Sequence, residues 1–420
     1  MNDTDEYIDF SSEANRALYR GVLIPEAALY VHVPFCKNKC AYCDFYSVTG
    51  ETVAFFLSKE KKSDSCSRFI KKILTDVNDI TSLFHTEHFS SIYIGGGTPS
   101  LLSSEDIFYL ARNLIQKAVP HAECTIELNP ESVSSEFIDT AIEGGINRFS
   151  LGVQTFSAQI LQSQNRITAL ADIENALQVL YRAQKSRHVK VSCDLIVGFP
   201  SQTAEQVRAD IRALLQYEIH HISVYTLCTA DAQYDRENDA ADFLFDCAEA
   251  ELCNAGFTRY EVSNFAQGAC YESAHNKAYW HLQPYFGVGP SAVGTFFLHS
   301  DGGWHNRLEI TAVRTAGYAD VNDWFQTRFP YAVETISSEN EIKDFLLMGL
   351  RLREGIDKTK FFTRFHIVFD DMLAHTIKKF SRMIAVNTDK KFSLTNEGIN
   401  FLSQFLVESF CEIENFFRSR

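Results

Sequence analysis

From residue 28 to about 228 the chain alternates short apolar runs with amphipathic stretches of helical length. That alternation restricts it to a mainly parallel sheet flanked by helices. Residues 28–33, 91–94, 125–128, 149–153, 189–197 and 221–227 read as strands. Residues 67–83, 105–118, 135–143, 172–184 and 204–216 read as the helices between and after them. Ser103 with Asp106 three residues on is a capping-box variant at one helix start, and Gly144-Gly145 is a stop signal at another helix end. Six β/α units without a long break predict an α/β barrel, partial or closed. Chemistry in such barrels sits at the C-terminal ends of the strands, and each polar motif described below falls there.

The 420 residues have room for one large domain and a smaller one. Net charge is −15, which argues against nucleic acid as the main partner. No apolar run is long enough to cross a bilayer, and the acidic start, Met1-Asn2-Asp3-Thr4-Asp5-Glu6, lacks a signal pattern. Eleven cysteines, most of them scattered singly, suit a reducing compartment, so a cytoplasmic location is expected.

Four regions are expected. Residues 1–27 form an N-terminal segment and 28–230 the barrel. Residues 231–335, irregular and rich in aromatics, read as a cap over the barrel mouth. Residues 336–420 read as a winged-helix-like module. In that module Ile342, Phe345, Leu346 and Leu350 repeat at helical spacing and Gly355 ends the helix. Residues 383–394 form a hairpin, and Thr395 caps a further helix. The module's 13 Lys and Arg against 12 Asp and Glu favour packing or partner docking over DNA. Residues 50–66 read as an exposed, charged insertion.

The first strand leads into Cys36-Lys37-Asn38-Lys39-Cys40-Ala41-Tyr42-Cys43, a C-x3-C-x2-C loop. Random placement of the cysteines would give roughly 0.007 such patterns in this length. A [4Fe–4S] cube normally takes four thiolates, so three would leave one iron open to a ligand. A zinc site lacking one ligand and plain buried thiols are the alternatives. Gly95-Gly96-Gly97-Thr98-Pro99 follows the second strand and permits close backbone approach, although it lacks the Gly-Lys-Ser/Thr ending of a P-loop. Glu127, Gln154 and Asp194 lie at or near the ends of the next three strands. A carboxylate in an apolar strand costs several kcal/mol if unpaired, so it binds either barrel backbone or a ligand.

Taken together, Cys36, Cys40 and Cys43 with Tyr42, the Gly-Gly-Gly-Thr-Pro turn and the Glu/Gln/Asp series resemble the radical S-adenosylmethionine superfamily. The match is dense over 28–310 and weaker beyond, through Leu347-Met348-Gly349-Leu350-Arg351 and Glu354-Gly355-Ile356-Asp357. Within the superfamily the chain is similar to the anaerobic coproporphyrinogen III oxidase family, and to its haem-chaperone (HemW) branch. The resemblance implies a [4Fe–4S] cluster on the three cysteines, with the amine and carboxylate of S-adenosylmethionine on the open iron. It implies that Tyr30, Gly96 and Glu127 contact that molecule. Tyr42, Gly97, Thr98, Gln154, Arg166 and Asp194 match positions that hold a second S-adenosylmethionine in the oxidase.

The oxidase pattern continues C-x3-C-x2-C-x-C, where this chain has Phe45, and the oxidase has a longer segment before the cluster. His275-Asn276-Lys277-Ala278-Tyr279-Trp280 matches the H-N-x-x-Y-W signature of the chaperone branch. The implied function is haem binding and transfer to a recipient apoprotein, with an electron donor as a further partner and peripheral contact with membrane-bound recipients. His275 is the leading candidate for the axial haem ligand, Tyr279 and Trp280 supply aromatic surface, and His281 and Cys270 compete. The alternative is an oxygen-independent coproporphyrinogen III oxidase, which decarboxylates two propionates to vinyl groups.

Overall fold

The computed structural model describes residues 8–61, 63–227, 236–298 and 310–419. The boundary expected at 230/231 lies outside them. A short strand β1 (Ile8–Asp9) precedes the six expected strands, which are β2 (Glu26–Val33), β3 (His88–Gly96), β4 (Ala118–Leu128), β5 (Arg148–Gln154), β6 (Lys190–Val197) and β7 (His221–Thr226). All five intervening pairs are parallel. The chain then adds β8 (Thr258–Arg259), β9 (Asn264–Ala266), β10 (Tyr285–Val288), β11 (Val293–Phe297), β12 (Ile310–Gly317) and β13 (Tyr331–Ser337). The sheet order is β1-β13-β12-β11-β10-β2-β3-β4-β5-β6-β7-β9-β8. Among the described residues it does not close, so the barrel is partial, with its parallel part in the middle of a wider sheet.

The strands alternate in character. Leu29, Val31 and Val33, Ile92 and Ile94, Ile126 and Leu128, and Phe149, Leu151 and Val153 join the main core. On that side the helix Arg68–Leu83 buries Phe69, Ile70, Ile73, Val77 and Ile80, and the helix Ser104–Ile115 buries Ile107, Leu110, Ala111 and Leu114. The residues between them, Tyr93, Thr125, Glu127, Ser150, Gly152, Ser192 and Asp194, line an interior cavity. Strands buried on both faces are normally apolar almost throughout. A polar inner row therefore marks this interior as a chamber rather than a packed core. Turn chemistry agrees with the sequence: Ser103 Oγ accepts from the Asp106 N–H at 3.1 Å, and Gly145 ends its helix with φ at 116°.

The region expected to be irregular holds more order than its composition suggested. Arg236–Asn254 is a helix, and β10 to β13 extend the sheet on the β2 side, β10 pairing in parallel with β2. The helix Ala274–Trp280 does not cover the mouth. It seats against the N-terminal halves of the barrel strands, where Glu123 accepts from Ser273 Oγ at 3.3 Å and from the His275 N–H at 3.2 Å. It therefore stoppers the end opposite the cysteines. The 50–66 segment is not wholly exposed either. Phe56 is 1% accessible and packs on Phe325 with ring centroids 5.1 Å apart, and Cys66 is buried.

The C-terminal module has its own core around Ile342, Leu346, Phe361, Phe392, Phe405 and Ile413. It carries a small sheet, in which β14 (Ile356–Asp357), β15 (Ile384–Asn387) and β16 (Lys391–Leu394) lie in the order β14-β16-β15. The long first helix, Ser338–Gly349, stops before Gly355, which sits in the following turn at φ 74°. Among the described residues no helix is long and apolar enough to cross a membrane.

Candidate functional site

The cysteine loop leaves β2 and is tied down at both ends. Cys36 N–H donates to Val48 C=O at 3.0 Å and Val48 N–H to Pro34 C=O at 2.7 Å. Phe35 between them is fully buried, edge-on to Phe69 at 4.8 Å. The far side is fastened to the segment before Arg166. Ala41 N–H donates to Gln164 C=O at 3.0 Å, Asn38 Nδ2 to Asn165 C=O at 2.6 Å, and Asn165 Nδ2 to Lys39 C=O at 3.0 Å. A loop pinned along its length presents its thiols in one arrangement.

Cys36, Cys40 and Cys43 are half-buried, unpaired, and on the wall of a cavity of about 330 Å³. Tyr42, Gly96, Gly97, Thr98, Glu127, Gln154, Arg166 and Asp194 line the same cavity, so eleven of the thirteen expected site residues converge. The volume lies within the roughly 300–1,000 Å³ typical of small-ligand sites. Thr98 Oγ1 lies 3.5 Å from Cys36 Sγ and Arg166 Nη1 3.9 Å from Cys40 Sγ, so each of these sulfurs has a donor in reach. Burial pushes the Cys43 thiol up, which disfavours the thiolate until a cation compensates.

The three glycines of the turn are dictated by packing. A Cβ on Gly97 would lie 2.8 Å from the Phe35 carbonyl oxygen and 3.0 Å from Cys36 Sγ, and one on Gly95 would lie 2.9 Å from the Glu127 carboxyl. Gly96 has φ of 115°, and its Cβ would meet the His32 ring at 2.6 Å. Their small size lets the turn slide beneath the cysteine loop, which is a firmer reason for glycine than ligand approach alone.

Glu127 Oε1 accepts from Tyr93 OH at 2.8 Å and Oε2 from the Gly96 N–H at 2.9 Å. Burial outweighs both bonds and raises its pKa to about 7. Asp194, held by Ser150 Oγ at 3.2 Å, is likewise raised by burial. Arg166 Nη1 donates to Tyr42 OH at 2.9 Å and Nη2 to Gly152 C=O at 2.5 Å. Gln154 Oε1 and Arg166 Nε are buried without a partner among the described residues. Three soft thiols, two desolvated carboxylates, an unused amide oxygen and an unused guanidinium Nε–H around one cavity fit a thiolate-ligated cluster with a zwitterionic, cationic ligand beside it.

Two of the expected residues lie off this wall. Tyr30 is not on the cavity wall. Its hydroxyl is turned to His32 Nδ1 at 2.9 Å, and its ring stands behind Tyr93. His275 is 1% accessible and also off the wall. Its Nδ1 bonds Ser91 Oγ at 2.8 Å, its Nε2 bonds Tyr279 OH at 2.6 Å, and its ring stacks on Tyr93 at 5.1 Å. Burial lowers its pKa to about 3. With both ring nitrogens occupied, neither is free for iron. His281, the nearest competitor, faces Glu354 at 3.1 Å, and Cys270 is exposed. Asn129, Arg148, Ser192, His221 and Ser223 also line the cavity and were not singled out from sequence, and Asn276 of the H-N-x-x-Y-W signature joins them. Polar residues on apolar strands were the signal that marked Asp194, and Ser192 and Ser223 carry it too.

The profile of the Radical SAM superfamily matches residues 30–214, and that of the HemN C-terminal domain matches residues 336–401. The chain is 26% identical over 406 residues to the "Heme chaperone HemW" of Lactococcus lactis, covering 90% of this chain and 97% of that one. It is 30% identical over 348 residues to the bovine "Radical S-adenosyl methionine domain-containing protein 1, mitochondrial", covering 79% and 74%. Coproporphyrinogen III oxidase (HemN) of Escherichia coli superposes with a TM-score of 0.74 at 18% identity, over 96% of this chain and 94% of that one, and so shares the fold. The chain belongs to the radical S-adenosylmethionine superfamily and, within it, to the coproporphyrinogen III oxidase-like family and its haem-chaperone branch.

Proposed function

We propose that this protein binds haem and passes it to a recipient apoprotein, and that it carries a [4Fe–4S] cluster and S-adenosylmethionine. The observation that carries the reading is the mouth of the partial barrel. It presents three free thiols on a pinned loop, followed by Phe45, 64% exposed, where the oxidase pattern has a further cysteine. The names of the relatives supply the haem. Cys36, Cys40 and Cys43 would hold the cluster. Glu127 and Asp194 would face the positive charges of S-adenosylmethionine, which offset the cost of burying those carboxylates. Arg166 would face its carboxylate, and Tyr42, Gln154, Gly96, Gly97 and Thr98 would form the surrounding wall. When bound, the cluster and this cofactor supply one-electron chemistry. The chain's own residues hold the loop and exclude water from the chamber.

The haem ligand lies outside the H-N-x-x-Y-W helix on this reading, since that helix stoppers the barrel. The recipient and the electron donor are further proteins, and the C-terminal module is a candidate to dock one of them. The test pairs a haem titration with an anaerobic coproporphyrinogen III assay on the reconstituted protein. Haem binding at about one per chain without porphyrinogen turnover supports the proposal. Multiple turnovers to protoporphyrinogen without haem binding would reassign the protein as an oxidase.

A further inference from the structure

Gln154 closes β5 with φ at 69°, a left-handed backbone that side-chain-bearing residues adopt rarely and only under strain. The pairing with β6 slips at the same place. Gly152 faces Asp194, but Gln154 faces Leu195, which leaves Val153 as the extra residue of a β-bulge. Bulges beside functional sites re-aim a side chain. Here the bulge presents Gln154 to the cavity, and its Oε1 has no partner among the described residues.

A strained turn persists only where its surroundings hold it. Arg166 holds it from one side, through the Gly152 carbonyl. From the other side comes Asp210, on the helix Ala204–Leu215. Its Oδ2 accepts from Thr155 Oγ1 at 2.7 Å and its Oδ1 from the Phe156 N–H at 3.0 Å, while Thr155 Oγ1 accepts from the Ser157 N–H at 3.1 Å. Asp210 is 5% accessible, and burial raises its pKa to about 6. Both carboxylate oxygens serve this turn. A buried carboxylate without a cation is an expensive way to close a loop that exposed residues would close as well.

We propose that Asp210 is a positioning residue for the S-adenosylmethionine site: it fastens the turn after β5 so that the Gln154 amide faces the cavity. The inference rests on the reading of that cavity given above. Asp210 itself touches no ligand. It acts through Gln154.

The experiment uses the full chain with its cluster reconstituted. Affinity for S-adenosylmethionine is read from the perturbation it causes in the electron paramagnetic resonance of the reduced cluster. Asp210→Asn keeps the shape but loses one acceptor, and affinity should fall about tenfold with iron content unchanged, as for other residues that orient a ligand-holding group. Gln154→Ala should fall similarly. The double variant should be no weaker than Gln154→Ala alone, because the two residues act as one unit. Thr155→Val should reproduce the loss and Thr155→Ser should restore it, which keeps the test alive if Asp210→Asn folds poorly. Unchanged affinity in Asp210→Asn and Thr155→Val, with only thermal stability lowered, would make Asp210 a structural residue and overturn the proposal. So would losses that multiply in the double variant. A wild-type protein that gives no response to S-adenosylmethionine would instead overturn the site reading itself.

Discussion

Replacing Gly97 by Ala tests whether the glycine turn is a seat for the cysteine loop. The Gly97 backbone is not left-handed, so the added methyl costs only space. It would lie 2.8 Å from the Phe35 carbonyl oxygen, where ordinary contact begins at 3.4 Å, so the loop must retreat by about 0.6 Å. There is little room for that. Gly97 N–H is bonded to Val33 C=O at 2.8 Å, Phe35 is packed on Phe69, and Cys36 is tied to Val48. Overpacking of this kind costs about 1–3 kcal/mol, and a displacement approaching 1 Å at a reactive centre costs up to about a hundredfold in function. Gly256→Ala is the control. Its φ is 82° but its Cβ meets nothing within 4 Å, so it carries strain of about 1–2 kcal/mol without a clash. Both variants should melt a few degrees lower. Only Gly97→Ala should fall well below the about four irons per chain that a cube supplies after anaerobic reconstitution. A Gly97→Ala protein with full iron and an unaltered response to S-adenosylmethionine would refute the seat.

The remaining predictions concern the cluster, the carboxylate and the stopper. Substituting Cys36, Cys40 or Cys43 by Ala should abolish the visible chromophore of the reconstituted protein, whereas Cys66→Ala and Cys411→Ala should keep it; loss in Cys66→Ala would break the assigned ligand set. Glu127 has a folded pKa of about 7, above its usual 4.5 mainly through burial, and a bound cation favours its ionised form. Affinity for S-adenosylmethionine should therefore rise from pH 6 to pH 8 as the cost of deprotonation disappears, and Glu127→Gln should flatten that rise; an equally steep rise in the variant would assign it to another group. His275→Ala should cost about 3 kcal/mol in a denaturant titration, because Ser91 and Tyr279 lose their partner and a cavity opens under Tyr93. Its haem Soret band should stay where it is, and a displaced band with unchanged stability would return His275 to the haem.

The parallel strands were legible because each appears as a short apolar run between amphipathic stretches of helical length, as a strand packed under helices must. The expected 149–153 became Arg148–Gln154, and 221–227 became His221–Thr226. The sequence alone did not place β10 to β13: β11, β12 and β13 each pair with the strand before, but β10 pairs with β2, far upstream, and that link is set by tertiary packing rather than by local pattern. The cluster loop was legible because its chemistry depends on spacing within eight residues. Tyr30 and His275 were legible as special but not as to where they point. The same buried polar side chain serves a ligand or a hydrogen bond, and only tertiary placement decides. Asp210 gave no local signal, because its partners, Thr155 and Phe156, sit on another element.

The thirteen-strand sheet ends, among the described residues, in β1 and β8, each two residues long. The side chains there are already engaged, Asp9 with Ser11 and Tyr318, and Arg259 with Glu249 and Asn400. An open sheet this wide would normally offer a long row of unpaired amides to any passing extended chain. Here each terminal strand has a rung or two of its own to offer, and β1 covers β13 at Ala332 and Val333. The barrel keeps its opening for ligands while its sheet tapers at both ends to strands too short to template a long partner.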